Sequence, residues 1–512
     1  MTLINILSRQ KRVAMPILVF ALMLSCLGTR NVLFVRIASA GTTWIVDDDG
    51  STIGSIQTAI NSANDGDTIL VLSGTYYEHL FVEKRLSIIG ENENTTIIDG
   101  GGLGIIVHVA GNNITLKGFT IQHGETGVFI ENGKEENTLS ENKVLLNMFS
   151  GIYGDQCGKT VIANNNVSFN GWHGIFLYGC APSILDSNFI FSNGDDGIRI
   201  RYSSNNTITG NFVVANENGI LVYSDEDPIR LGELSKNNVI RENHVLNNSC
   251  GISIRHYGVD VSPARNEISE NNIDYNGVGL NITGSNDNLV YHNNFINNSE
   301  QFSLEQSYND IWDGGYYVGG NYWSDHVYND TYWGVSQNIT GSDGVIDVSY
   351  QVSTNSTSED RFPFSQADGW MVVPEVNVTS PLNGTYRVNT LTLALSLNKP
   401  AMVSYSLDDQ ANSTLAENLT LSDLLVGAHS VRVYTVDTLY QEASSEAQFT
   451  ITFVGDLNLD MIVDIVDISM VASHFGETLG SQEWNSDMDL NGDNEIEIVD
   501  ITIVAQQFGN TL

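Results

Sequence analysis

The sequence predicts a mainly β protein. A long parallel solenoid of short strands comes first, then a small antiparallel β-sandwich, then a small α-helical domain built by duplication. Three observations carry this reading. Asparagine, apolar and glycine positions recur mostly every 22 or 23 residues through the middle of the chain. Alternating apolar strands broken by Asn-Gly, Pro and Asp-Asp turns follow Trp370. Two acidic twelve-residue loops, each running into an apolar helix, repeat at an interval of 33 residues near the C-terminus.

The 512 residues carry a formal net charge of -39. That length exceeds one ordinary domain. A hydrophobic fraction of 41% is too high for a disordered chain, and the acidity argues against nucleic acid as the main partner. The N-terminus reads as an export signal over residues 1–40. Arg9, Lys11 and Arg12 precede an apolar run from Val13 to Leu27, and Ala38-Ser39-Ala40 offers the small residues of a cleavage site before Gly41. The remainder holds 17 basic and 61 acidic residues. It has no further apolar stretch of about 20 residues, so no membrane span is expected in the mature chain. A secreted or cell-surface location follows. Cys157, Cys180 and Cys250 remain, an odd number that excludes a full disulfide framework.

The repeat template is Asn-x-apolar-x-x-Asn followed by a glycine-led strand. Its first asparagine falls at Asn142, Asn165, Asn188, Asn211, Asn243, Asn271 and Asn293, and its second lies five residues later each time. Strands begin at Gly127, Gly151, Gly174, Gly197, Gly219, Gly251 and Gly279. Alternate apolar residues place one face inward. One coil cannot bury that face alone, but a stack of coils can. Asparagine accepts left-handed backbone and can bond to the next coil, which explains two ladders at constant offset.

These motifs resemble the right-handed parallel β-helix of the carbohydrate-binding and sugar-hydrolase repeat families, with the NosD-like group nearest. Trp44 to Gly50 and the stretch from Ser55 to Leu80 resemble that family's N-terminal cap, with one amphipathic helix over Ser55 to Ala63. Gly320 to Asp325, Gly341 to Asp347 and Asp360 to Phe364 resemble its C-terminal coil in secreted archaeal proteins. The resemblance implies a fold and leaves the activity open. It also connects such domains with copper-site maturation, for which the repeats lack clustered Met, Cys or His.

The register assigns outward residues. One column runs Tyr178, Arg201, Tyr223, Arg255, and its neighbour runs Tyr153, Phe176, Arg199, Leu221. Insertions from Ser224 to Lys236 and from His256 to Arg265 form a wall beside them. Aromatic rings stack on sugars and guanidinium forks hold acidic groups, so Tyr178, Arg201, Tyr223 and Arg255 are expected to bind a polysaccharide or other glycan. The alternative is a solvated face whose arginines pair with Asp195, Asp196 and Asp225. Asp195, Asp196 and Arg199 are the weak catalytic candidates of a lyase or glycoside hydrolase, and His173 does not fit the hydrolase pattern. Cys157 and Cys180 occupy equivalent places in adjacent coils, as a stacked thiol pair or a disulfide.

Glu375 to Phe453 fits one antiparallel sandwich resembling Ig-like modules, read as a spacer. The first acidic loop then offers Asp456, Asn458, Asp460, Asp464 and Asp467, with the Ile462 carbonyl. The second offers Asp489, Asn491, Asp493, Glu497 and Asp500, with the Glu495 carbonyl. Oxygens at positions 1, 3, 5, 7, 9 and 12 are the spacing of an EF-hand-type loop and predict two Ca2+ sites. Position 6 is Met461 and Asn494 where glycine is usual, so the first site is expected to be weaker. The duplication resembles a dockerin, which implies a cohesin-type partner. Matching pairs Ile465-Val466 and Ile498-Val499 would permit docking in two orientations.

The expected organisation is a signal peptide over 1–40, a β-helix over 41–368, an Ig-like sandwich over 369–454 and a dockerin-like domain over 455–512. The function expected is a non-catalytic carbohydrate binder tethered by calcium. Polysaccharide lyase or hydrolase and structural cell-envelope protein are the alternatives.

Overall fold

The computed structural model describes residues 41–49, 53–225, 234–257, 262–352, 358–415 and 419–512. The expected export signal, residues 226–233 of the first insertion and residues 258–261 of the second lie outside the described residues. No helix among the described residues is long and apolar enough to cross a membrane.

Three parallel sheets of 11, 10 and 11 strands form a right-handed β-helix. Each coil contributes one strand to each sheet, and inward Ile, Val and Leu side chains of all coils merge into one buried core. The seven glycine-led strands lie in the ten-stranded sheet, which runs from Leu80–Val82 to Glu300–Glu305.

The asparagine ladders supply the inter-coil bonds. Asn165 donates its backbone N–H (3.0 Å) and its side-chain amide (3.0 Å) to Oδ1 of Asn188 in the next coil, and the amide also reaches the Leu139 carbonyl (2.9 Å). The pattern repeats through Asn211, Asn243, Asn271, Asn293 and Asn321. The second ladder runs from Asn147 to Asn298. A third, missed in the sequence, lies five residues ahead of the first. It runs Asn206, Asn238, Asn266, Asn288, with Thr160 and Ser183 filling two of its earlier places.

The turns differ from the expectation that asparagine itself adopts the left-handed backbone. The ladder asparagines are not left-handed; the residue before each of them is. Leu146, Asn164, Phe169, Ser187 and Ala215 all have φ between 51° and 58°. The ladder asparagine follows the bend and holds it through its amide. Gly197 shows why each third strand begins with glycine. A Cβ there would meet the Asn216 amide at 2.9 Å and the Gly219 carbonyl oxygen at 2.7 Å.

Two ladders end in carboxylates. Asn288 donates to Asp310 (2.8 Å), and Asn321 donates to Asp360 (2.7 Å). A terminal residue must accept from the coil behind but has no further coil to receive an amide, so a carboxylate suits the place. Burial pushes Asp310 up to about 6 and Asp360 up to about 7. The opposite end is covered by helix Ile56–Ser62, whose first amides bond to Glu78 and whose last carbonyls accept from Lys84. This matches the expected capping helix.

The sandwich has a three-stranded sheet (Val376–Ser380, Leu391–Leu397, Leu419–Leu421) over a five-stranded one. Its pairs are antiparallel except Gly384–Tyr386, which runs parallel to Glu442–Ile451. Trp333 and Ile339, from the antiparallel pair Tyr332–Trp333 and Ile339–Thr340 that follows the β-helix, pack into the sandwich core beside Leu393, Leu395 and Phe449. Ser342 and Leu397 exchange hydrogen bonds across the same junction. The helices Ile465–Ser473 and Ile498–Gln506 form the tail over Val463, Val471, Ile496 and Val504.

Asp360 generates a pH prediction. Its carboxyl binds a proton more tightly folded (about 7) than at its ordinary value of 3.8. Its contribution to stability is therefore full below about 4 and is lost as pH rises towards 7. Urea titrations of Asp360→Asn and the unaltered chain should show the stability difference changing between pH 4 and 7 and flat above.

Candidate functional site

The register brings the predicted column together. Tyr178 pairs with Arg201, Arg201 with Tyr223, and Tyr223 with Arg255 in successive strands. Arg201 grips the Asp225 carboxylate through both oxygens (3.1 and 3.0 Å), and the Tyr223 hydroxyl donates to the same group (2.9 Å). Its guanidinium also lies 5.7, 5.0 and 5.5 Å from the ring centres of Tyr178, Tyr202 and Tyr223.

The neighbouring column is a continuous ring ladder. Phe81, His108, Phe129, Tyr153 and Phe176 follow one another at 5.0 to 5.3 Å, with Tyr153 and Phe176 nearly parallel. Arg199 continues it over Phe176 and Tyr223. Leu221, expected to face outward, is buried at 4% exposure. The ring faces here are therefore largely covered by other rings or by guanidinium groups. Outward they offer hydroxyls, ring edges and remaining N–H donors, so hydrogen bonding and charge rather than sugar stacking suit this strip. Trp172 differs, being exposed at 54% and tilted against Phe149 at 4.7 Å.

Beside the strip lies a buried polar cluster. His173, Asp196 and Asn218 each precede the glycine of their coil and stack in consecutive coils. His173 Nδ1 stands 3.4 Å from Asp195 and 3.5 Å from Asp196. Arg199 approaches Asp196 at 3.4 Å and Asp195 at 3.8 Å. Asn218 donates to Asp196 (2.7 Å), and Arg255 donates to Asn218 (3.2 Å). Burial pushes Asp196 up to about 6 and His173 down to about 4.

His173 thus belongs with the two aspartates, against the sequence reading that set it aside. The signal was the shared position immediately before the glycine. His173, Asp195 and Asp196 offer ligand atoms within 4.8 Å of one another, a spacing a cation could bridge, but the Arg199 guanidinium already provides positive charge there. Asp196 has no exposed surface, whereas Asp195 reaches solvent. Cys157 and Cys180 are free, buried thiols, with the Cys157 N–H donating to Cys180 Sγ at 3.1 Å. They extend into a ladder with Ser203 and Ser235.

The two acidic loops fold alike. Asp456 accepts the amides of Asp460 and Met461, and Asp489 those of Asp493 and Asn494. At position 12, Asp467 and Asp500 are fully buried. Each accepts two loop amides on one oxygen and the helix N-cap amide on the other. Asn458 and Asp460 follow the same pattern as Asn491 and Asp493. Asp464 and Glu497 stand at the helix N-caps. Met461 and Asn494 both lie in the left-handed region, at φ 67° and 73°, which costs a side-chain-bearing residue about 1–2 kcal/mol. Each loop gathers four carboxylates and one amide side chain, plus the carbonyl of Ile462 or Glu495. No Lys, Arg or His side chain pairs with any of these acids among the described residues. A hard, oxygen-only donor set with buried negative charge fits Ca2+.

The family pattern described as "Right handed beta helix region" matches residues 103–262, "Periplasmic copper-binding protein (NosD)" matches residues 224–327, and "Dockerin type I domain" matches residues 454–509. The tail is a dockerin domain, a calcium-binding module. No curated protein sequence matches the chain. Among solved structures, the A-module of mannuronan C-5 epimerase AlgE4 from Azotobacter vinelandii is 16% identical over 51% of this chain and 81% of its own, with a TM-score of 0.41. An alginate lyase from Paenibacillus sp. is 13% identical over 52% and 97%, at 0.34. ORF18 of Geobacillus virus E2 is 13% identical over 79% and 76%, at 0.43.

Arg201 holds both oxygens of Asp225 through one Nη in a part-buried ion pair, and the two residues should be energetically coupled. A double-mutant cycle with Arg201→Ala and Asp225→Ala, read by denaturant unfolding, is expected to give a coupling of roughly 1–2 kcal/mol.

Proposed function

We propose that the chain is a secreted binding protein that holds carbohydrate on its β-helix and docks through its calcium-loaded tail to a cohesin-type partner. The observation that carries this reading is the internal symmetry of the tail. Ile465 and Val466 are exposed at 62% and 46%, and Ile498 and Val499 at 60% and 42%. Apolar pairs at matching places on two equivalent helices form two alternative faces for one partner. Calcium at both loops would hold those helix starts in register, since each position 12 aspartate also caps its helix.

The carbohydrate part rests on the strip of Tyr178, Arg201, Tyr223 and Arg255, with Trp172 nearby. Each guanidinium has five N–H donors and uses only some of them on Asp225 or Asn218. Hydroxyl and carboxylate groups of an acidic glycan are suited to the remainder. A lyase or hydrolase reading draws support from the raised carboxyl of Asp196, but that group is walled in by Arg199, Asn218 and His173. The binding reading is favoured for that reason.

The test is docking to a panel of cohesin domains, measured by calorimetry on the full chain. Binding should require calcium and disappear with a chelator. Replacing Ile465 and Val466 with serine, or Ile498 and Val499 with serine, should change affinity only a few-fold, because the other face remains. Replacing all four should abolish binding. Loss on altering one pair alone would remove the two-orientation reading.

A further inference from the structure

The first calcium loop is tied to the sandwich in a way the second is not. Arg387 directly follows strand Gly384–Tyr386. Its Nε donates to the carbonyl of Asp456 at 2.9 Å, and one Nη donates to the carbonyl of Leu457 at 3.1 Å. Its other Nη lies 3.8 Å from Asp487, two residues before the second loop. Thr452 directly follows strand Glu442–Ile451. It donates its N–H to the Tyr386 carbonyl at 2.8 Å and its hydroxyl to the Asp456 carboxylate. Two neighbouring sandwich strands thus converge on position 1 of the first loop.

The second loop has no such support among the described residues. Asp489 accepts only the amides of Gly492, Asp493 and Asn494. Asn485, at the place equivalent to Thr452, bonds instead to the Asp487 amide. The asymmetry answers a need, since the first loop is the one with methionine at the left-handed position 6. No Lys or Arg occurs after Arg432, so the tail cannot provide this clamp from its own sequence.

We infer that Arg387 is a positioning residue for the first calcium loop. It rests on the reading of these loops as calcium sites. By holding the carbonyls of positions 1 and 2, Arg387 keeps the loop in its ligating shape despite Met461. Calcium binding at that loop and packing of the tail on the sandwich are then coupled, and the coupling acts in both directions. The sandwich becomes part of the docking machinery rather than a passive spacer.

The experiment is a calcium titration of the full chain by calorimetry. Arg387→Ala should weaken one site roughly tenfold and leave the other within about twofold. A second-loop variant, Asp493→Ala, assigns which site is which. Arg387→Lys keeps the charge but cannot fork over two carbonyls, so it should recover only part of the loss. Thr452→Val provides a second route to the same contact should Arg387→Ala fail to fold, with the same site-selective weakening expected. A lowered thermal midpoint with both calcium affinities unchanged would mean that Arg387 serves only the sandwich, and would overturn the inference. Equal weakening of both sites would overturn it too. If the unaltered chain takes up no calcium, the calcium reading fails and this inference with it.

Discussion

Everything in the β-helix depends on how a chain turns tightly three times per coil without stranding its polar groups. Left-handed backbone at Leu146, Phe169 or Ala215 is unfavourable by about 1–2 kcal/mol for any side-chain-bearing residue. The asparagine that follows each bend offsets this. One side-chain oxygen receives two N–H groups from the preceding coil, while the amide reaches a carbonyl there and often the next oxygen forward. The bonds are buried and mutually reinforcing. They set a strict register, and from that register come the side-chain columns of the β-helix face.

The register has two kinds of consequence. At the ends of the stack it creates special places, filled by the carboxylates of Asp310 and Asp360. Along the stack it multiplies whatever residue type occupies one position. Rings at one position become a ladder from Phe81 to Phe176, and polar residues before the glycine become the cluster of His173, Asp196 and Asn218. The same geometry limits function. A column in which arginine alternates with tyrosine satisfies itself first, and only leftover donors are available to a ligand. The packing of Trp333 and Ile339 into the sandwich, with the contacts of Arg387 to the tail, links the β-helix through the sandwich to the acidic loops.

Much of this was legible in the sequence because it is periodic. Asn142 and its successors, the glycine-led strands and the outward column from Tyr178 to Arg255 could be placed by counting. The two acidic loops could be picked out because their oxygen-bearing side chains follow a fixed spacing within one segment. What could not be read depends on contacts between distant residues or on positions without a characteristic residue type. The left-handed places accept leucine, phenylalanine and alanine alike, so no letter marks them. Asp225 meets Arg201 only because its strand runs on beyond the usual length. Leu221 is covered where its alternation alone places it outside. Arg387 lies 69 residues from Asp456, and nothing in either segment announces the other. His173 shares with Asp196 the place before the glycine, but it matches no hydrolase motif, and only the stacking of coils brings the two together.

We propose that the β-helix binds polysaccharide without turning it over. The most direct test incubates the full chain, with calcium, on a panel of acidic and neutral polysaccharides, and follows both retention and product. Co-sedimentation with an acidic polymer that remains intact is expected, with weaker retention for Tyr223→Ala. New reducing ends, or the absorbance of unsaturated sugars, would contradict it and would turn attention to Asp195, Asp196 and His173.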